Sequence, residues 1–379
     1  MNDYQQRLIV LAGLYVTLSV SLNLINGITG QFSIGHAAFY QIGAYATGYL
    51  SIHYIQAFAP KVGGDVPWLL LMIVVGAIAA AIAGLLVGLP SLRLRGDYLA
   101  IVTLGFGEIV RIVVQNNDAL GGSYALANIP RIQPIWVSLL LAVVCIAVCR
   151  NLLKTARGQT YLAVREDEVA AAAMGVNITG VKVTAFMIGS AFAGAAGAVL
   201  AHYEGVVTPQ TFTMDVSFII LTMVVLGGNG SITGSVFAAL FLFYLPEYLR
   251  DLKSPDGSAL IISGGAVLAG LLAVGFGVAV IRWALNNAKL ARGTRVAAYF
   301  GSVVVAVPIF FIARVGIHLI PTMATTQVQA GQLRMVIFAV SLIAIMLIRP
   351  QGIFAHHEFS WTWVRKLFGK PGVPTEIAA

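Results

Sequence analysis

The chain predicts an all-α polytopic membrane protein, a transmembrane helical bundle of about nine to eleven segments, some broken or re-entrant. Three observations carry that reading. Apolar residues make up 59% of the chain and charged ones only 10%, far from the composition of a soluble domain. The apolar residues fall into runs near the roughly 20 residues that a crossing helix needs. The basic residues behind the net charge of +8 sit in short loops between those runs, which points to membrane orientation and away from nucleic acid.

The expected segments run at about 8 to 24, 37 to 58, 67 to 89, 98 to 115, 134 to 149, 183 to 203, 259 to 284, 296 to 320 and 333 to 349. Two shorter runs, about 214 to 226 and 232 to 249, share one crossing pair. No strongly basic leader or small-residue cleavage site accompanies the run Leu8 to Val20, so the first segment is expected to stay in place. With the loop 150–182 cytoplasmic, alternation puts roughly fifteen of the 23 Lys and Arg inside and about six outside. That bias predicts an outside N-terminus and a cytoplasmic C-terminus.

Two stretches interrupt the helical pattern. One is Asn23 to His36, rich in Gly and Asn; the other is Leu226-Gly227-Gly228-Asn229-Gly230-Ser231-Ile232-Thr233-Gly234. Gly30-x-x-Ser33-Ile34-Gly35 is echoed loosely by Gly228-x-x-Ser231-Ile232-x-Gly234. Paired breaks of this kind mark substrate paths in transporters, because non-helical backbone survives at membrane depth only against protein or a watery cavity. The alternative is a pair of surface turns. The pathway expectation rests on Asn26, Ser33, Gly35 and His36, with Gly228, Asn229 and Ser231 opposite. His36 fits either a path lining or an ordinary loop hydrogen bond.

Glu108 and Arg111 stand three apart in an apolar run and share a helix face. A charge there costs about 2.5 to 3.5 kcal/mol on insertion scales. Either the pair has a transport role or it locks two helices together. Cys145 and Cys149 have no ligand partners at metal spacing and read as apolar packing. Gly189, Ala193 and Gly197, like Ser190, Gly194 and Ala198, repeat every four residues and predict close helix contact.

The polar loop Arg150 to Lys182 carries the sharpest signal. Glu166, Asp167 and Glu168 precede Val169 and four alanines, and Gly175 follows Met174. Acid at the start and glycine past the end predict a short helix. One face of it would offer Val169, Ala172 and Ala173 to a partner's groove. A solvated linker helix is the alternative.

Several blocks resemble the LivM-type permease subunit of branched-chain amino acid ABC importers. They are Leu22-Asn23-Leu24 with Gly27-Ile28-Thr29-Gly30-Gln31-Phe32-Ser33-Ile34-Gly35-His36; Leu92-Arg93-Leu94-Arg95-Gly96-Asp97-Tyr98 through Glu108 and Arg111; Ala163-Val164-Arg165-Glu166-Asp167-Glu168 with Ala173-Met174-Gly175; Val224-Val225-Leu226-Gly227-Gly228; and Arg349-Pro350-Gln351-Gly352. The resemblance implies a permease of the bacterial inner membrane that works by alternating access. Its implied partners are a homologous LivH-type second permease subunit, two cytoplasmic ATPases and a periplasmic substrate-binding protein. The stretch Arg165 to Gly175, with Glu166, Asp167, Glu168, Val169, Ala172, Ala173 and Met174, would dock on the ATPase. The resemblance places ATP and Mg in the partner subunits, with no cofactor in this chain, and no Gly-x-x-x-x-Gly-Lys-Ser/Thr loop occurs here.

The family passes quickly from Pro246-Glu247-Tyr248-Leu249-Arg250 to Arg334-Met335-Val336-Ile337-Phe338, whereas this chain inserts a segment at about 254 to 331. Two extra helices are expected there. The domain reading is a permease domain over 1–350 and a cytoplasmic tail over 351–379. The competing functions are an ion-coupled secondary transporter using Glu108 and Arg111, or an ABC permease for urea, short amides or aromatic acids. A membrane enzyme would need a cluster of acid, base, nucleophile or metal ligands that the sequence does not offer.

Overall fold

In the computed structural model the described residues are 2–91, 97–250, 261–263 and 327–329. Ten α-helices follow in chain order: α1 Asp3–Asn23, α2 His36–Val62, α3 Asp65–Ser91, α4 Asp97–Gln115, α5 Ile135–Lys154, α6 Ala156–Glu166, α7 Glu168–Ala173, α8 Ile178–Glu204, α9 Met214–Gly227 and α10 Ile232–Arg250. One pair of three-residue strands, β1 Ile261–Ser263 and β2 Gln327–Gln329, pairs antiparallel. Six of the helical stretches are long and apolar enough to cross a membrane. The chain is a multi-pass membrane protein.

The expected segments up to residue 249 all appear as helices, most of them longer by a turn. The first break begins later than the sequence suggests. Leu24–Ile28 continues α1 as a π-helical turn, and the helix is left only at Thr29. The wider turn survives because its carbonyls find other donors: Thr29 Oγ1 donates to Ile25 O at 2.6 Å and Gln31 N to the same oxygen at 3.1 Å. The inserted helix pair at about 254 to 331 lies outside the described residues except for β1 and β2. There, Ile261–Ser263 is strand where the start of a helix is expected. The segment at 333 to 349 and the tail 351–379 also lie outside the described residues.

The centre of the bundle is α8, against which α2 and α3 pack along most of their lengths. Glycine permits the approach. A methyl group on Gly43 would stand 2.1 Å from Gly194 O, and one on Gly194 would stand 2.3 Å from Gly76 O. The expected small-residue faces of α8 therefore meet two neighbouring helices at backbone distance. A buried polar chain closes the same region. His202 Nδ1 donates to Ala198 O at 2.7 Å, so its Nε2 accepts from Ser51 Oγ at 2.7 Å, and Trp68 Nε1 donates to that hydroxyl at 3.0 Å. Every member has a partner, which makes His202 a packing residue.

Around this slab, α1 packs on α5 and α10, and α9 and α10 form an antiparallel hairpin whose backbones touch at Gly227 and Gly234. The face of α5 with Cys145 and Cys149 is buried against α1 and α10, the cysteines acting as small apolar side chains. The outward faces of α3, α4 and α5 are apolar and exposed, with Leu86, Ile109 and Val143 among them.

Candidate functional site

The polar loop folds into two short helices. Thr155 Oγ1 accepts from Gly158 N at 3.1 Å and starts α6. Asp167 then takes extended backbone, and its carboxylate accepts from Val169 N at 2.8 Å and Ala170 N at 3.1 Å, which starts α7. Gly175, at φ 83°, ends it. The sequence expectation of one acidic-start helix is thus refined: Asp167 is the cap, and Arg165 and Glu166 belong to the helix before it.

The proposed docking residues divide by direction. Val169 and Met174 are 70% and 85% exposed, and Ala172, Ala173 and Gly175 join them on the outer side, while Ala171 is buried against the protein. Glu168 turns inward and forms an ion pair with Lys182, a buried residue of α8. Arg165 also turns inward. Glu166 holds its guanidinium at 2.6 and 3.0 Å, and Arg165 Nη1 donates to Gly27 O at 3.2 Å. Its aliphatic stem lies against Gly30, and a methyl group on Gly230 would stand 2.7 Å from Nη1. Within this chain, Arg165 and Glu168 tie the loop to the membrane helices. The guanidinium is compensated there by charge-assisted hydrogen bonds to Glu166 and Gly27 O.

What Arg165 reaches is the junction of the two helix breaks. Asn23 Nδ2 donates to Ser231 O at 3.0 Å, and Gly230 N donates to Asn23 Oδ1 at 2.9 Å. A methyl group on Gly27 would stand 2.2 Å from Gly230 N. The breaks do face each other, as expected, and they lie at the loop end of the bundle. The surface-turn alternative fails for most of their length, since Asn26, Ser33, His36, Gly228 and Ser231 are buried, with Asn229 exposed at the tip.

Most of the backbone around these residues is held by protein partners, while Ser33 Oγ and His36 Nδ1 are buried without a hydrogen-bond partner among the described residues. Asn26 exchanges two hydrogen bonds with the backbone of Ser33, at 2.9 and 3.1 Å. Ile34 N donates to Thr103 Oγ1 at 3.0 Å, and Ala37 N to Ser217 Oγ at 3.1 Å. His36 Nε2 lies 2.8 Å from Ser21 Oγ. Among the expected pathway residues, Gly35 borders a small cleft that it shares with Glu108. The hydrogen bonds formed here tie down the backbone of a non-helical segment. Glu108 and Arg111 do pair, at 2.5 and 2.9 Å, half-buried on one face of α4.

The sequence reading missed Asn23 and Lys182. Asn23 is the last residue of a helix, and its importance depends on a segment about 200 positions away. Lys182 looks like the polar edge of the loop, yet is 7% exposed. The Gly-Ser-rich second break with an Asn in the first was the signal for the former; an acid at 168 and a base at 182 on facing helices was the signal for the latter. Among the described residues no group of three or more His, Cys, Asp and Glu is placed to hold a metal.

Comparison with known proteins now bears on this geometry. The family described as branched-chain amino acid transport system / permease component matches residues 5–264. The high-affinity branched-chain amino acid transport system permease protein LivM of Escherichia coli K12 is 37% identical over 290 residues, 67% of this chain and 65% of its own. The match thus spans less than two thirds of that relative's length. A probable LivM of Methanocaldococcus jannaschii is 28% identical over 63% of this chain and 79% of its own. LivH of Escherichia coli K12 is 27% identical over 62% of this chain and 81% of its own. No solved structure matches.

Proposed function

Because the chain belongs to the branched-chain amino acid transport system permease family, we propose that it is a membrane permease subunit of an ATP-driven importer for branched-chain or related amino acids. The observation that carries the mechanism is the docking helix α7, whose outer face is free while its root is tied by Arg165 to both helix breaks. The chain itself is no enzyme. Work enters from cytoplasmic ATPase subunits that seat Val169, Ala172, Ala173 and Met174 in a groove, small side chains permitting the close fit.

Tilting α7 pulls on Glu168 and Lys182, and thus on α8. Tilting α6 moves Arg165, and with it the contact of Gly27 and Gly230. The two breaks are the place where α1 and the α9–α10 hairpin can change angle, because the chain there leaves the regular α-helical ladder. The bundle switches between two packings, and the substrate path alternates with them. A second permease subunit, resembling this one as LivH resembles it, supplies the other wall. The binding protein delivers substrate at the opposite face, and the membrane is the bacterial inner membrane with the C-terminus cytoplasmic.

The test is reconstitution with the partner permease, both ATPases and the binding protein. Labelled leucine is expected to accumulate in proteoliposomes only with ATP. Uptake that persists without ATP and collapses with an uncoupler would instead mean ion coupling.

A further inference from the structure

At the end of α8 away from the docking loop, a cavity of about 450 Å³ opens among α1, α2, α8, α9, α10 and the segments that precede α5 and follow α8. Its size falls within the roughly 300 to 1,000 Å³ of small-molecule pockets. Leu11, Leu200, Val207, Val216 and Phe243 form apolar walls. The polar groups gather at one side. Arg7 Nε donates to Glu204 Oε1 at 2.9 Å, and Arg131 Nε donates to Glu204 O at 3.1 Å. Tyr40 is 5% exposed, its ring packed edge-on against Phe212. It borders the cavity, and its hydroxyl makes no hydrogen bond among the described residues.

A cation, an anion and a tyrosine hydroxyl that makes no protein hydrogen bond, beside an apolar wall, complement one kind of ligand. We propose that this cavity binds a free α-amino acid with an aliphatic side chain, its carboxylate on the guanidinium groups of Arg7 and Arg131, its ammonium on Glu204, and its side chain between Leu200 and Val216. The Tyr40 hydroxyl gains its missing partner from the ligand carboxylate. Opening the Arg7–Glu204 pair to admit the ligand costs little, since Arg7 is 57% accessible and an ion pair with a solvated partner is weak. The inference rests on the importer reading: with α7 on the ATPase side, this mouth lies on the side where substrate arrives. It makes the cavity a receiving site inside a single permease subunit, separate from the buried breaks.

The experiment measures binding of labelled leucine to the whole complex in detergent, without nucleotide or binding protein. Competitors are 4-methylpentanoate, which lacks the ammonium, and isopentylamine, which lacks the carboxylate. Wild-type complex is expected to favour leucine over each by about tenfold or more, one charged hydrogen bond's worth. Glu204→Gln should lose most of the discrimination against 4-methylpentanoate while keeping that against isopentylamine, and Arg7→Gln the reverse. A fold defect would weaken all three probes together. Val216→Trp should abolish leucine binding, whereas Val143→Trp, on the exposed face of α5, should not. If wild-type complex transports leucine but Glu204→Gln, Arg7→Gln and Val216→Trp bind all three probes as wild type does, the cavity is no amino-acid site. If it neither binds nor transports leucine, the importer reading falls first.

Discussion

Replacing Gly27 by alanine sets helix propensity against tertiary structure, and the two predict opposite signs. In an ordinary helix interior the change stabilises by about 0.5 to 1 kcal/mol. Here the new methyl would stand 2.0 Å from Asn23 Oδ1, 2.2 Å from Gly230 N and 3.0 Å from Asn229 C. Relief requires the breaks to part by more than an ångström, beyond what the Asn23 bonds to Ser231 O and Gly230 N at 3.0 and 2.9 Å survive. Two hydrogen bonds at about 0.6 to 1 kcal/mol each in a membrane protein, plus overpacking of about 1 to 3 kcal/mol, give a net destabilisation of about 2 to 4 kcal/mol. Unfolding of the purified complex in graded denaturant reads the change, and uptake should fall with it. Asn23→Ala removes both hydrogen bonds and one clashing atom, so the double variant should cost about 1 kcal/mol less than the sum of the singles. A Gly27→Ala protein as stable as wild type, or more so, would refute the account of the joined breaks.

Other outcomes follow from the loop. Arg165→Lys keeps the charge but cannot grip Glu166 and Gly27 O together, so ATP hydrolysis should continue while uptake drops several-fold; unchanged uptake would remove Arg165 from the coupling route. Glu168→Lys puts two cations together at a buried position and should cost up to about 3 kcal/mol, and adding Lys182→Glu should restore stability, which a purely partner-facing Glu168 would not show. Ala172→Trp should abolish co-purification of the ATPases while leaving the permease folded by circular dichroism; retained ATPases would mean that α7 docks elsewhere.

The crossing helices could be read from the sequence because burial in lipid needs only length and apolarity, properties of a single run. The short loop helix could be read for a similar reason: Asp167, the alanines and Gly175 act within their own few residues. Direction was harder. Arg165 and Val169 lie four apart in one polar loop, yet one turns into the protein and the other out of it, a choice made by Gly27 and Gly230, far away in the chain. The breaks were visible as glycine and asparagine clusters, but their contact with each other depends on Asn23 satisfying both sides at once. The cavity at Glu204 left no motif at all, since its residues come from five helices and two connecting segments.

The backbone contacts of Gly43, Gly76 and Gly194 fix which pieces can move. Helices that touch through carbonyls and bare α-carbons have no side-chain cushion to slide on, so α2, α3 and α8 translate and rotate together as one plate. Kinematically, the stroke has to be taken up along the border of that plate, by α1 and the α9–α10 hairpin swinging against it. The mouth at Glu204 and the joint at Gly27 lie at opposite ends of this border, one at each end of α1. A lever pivoting at one end sweeps furthest at the other, so a small rotation set at the docking loop becomes a larger change of aperture at the far face.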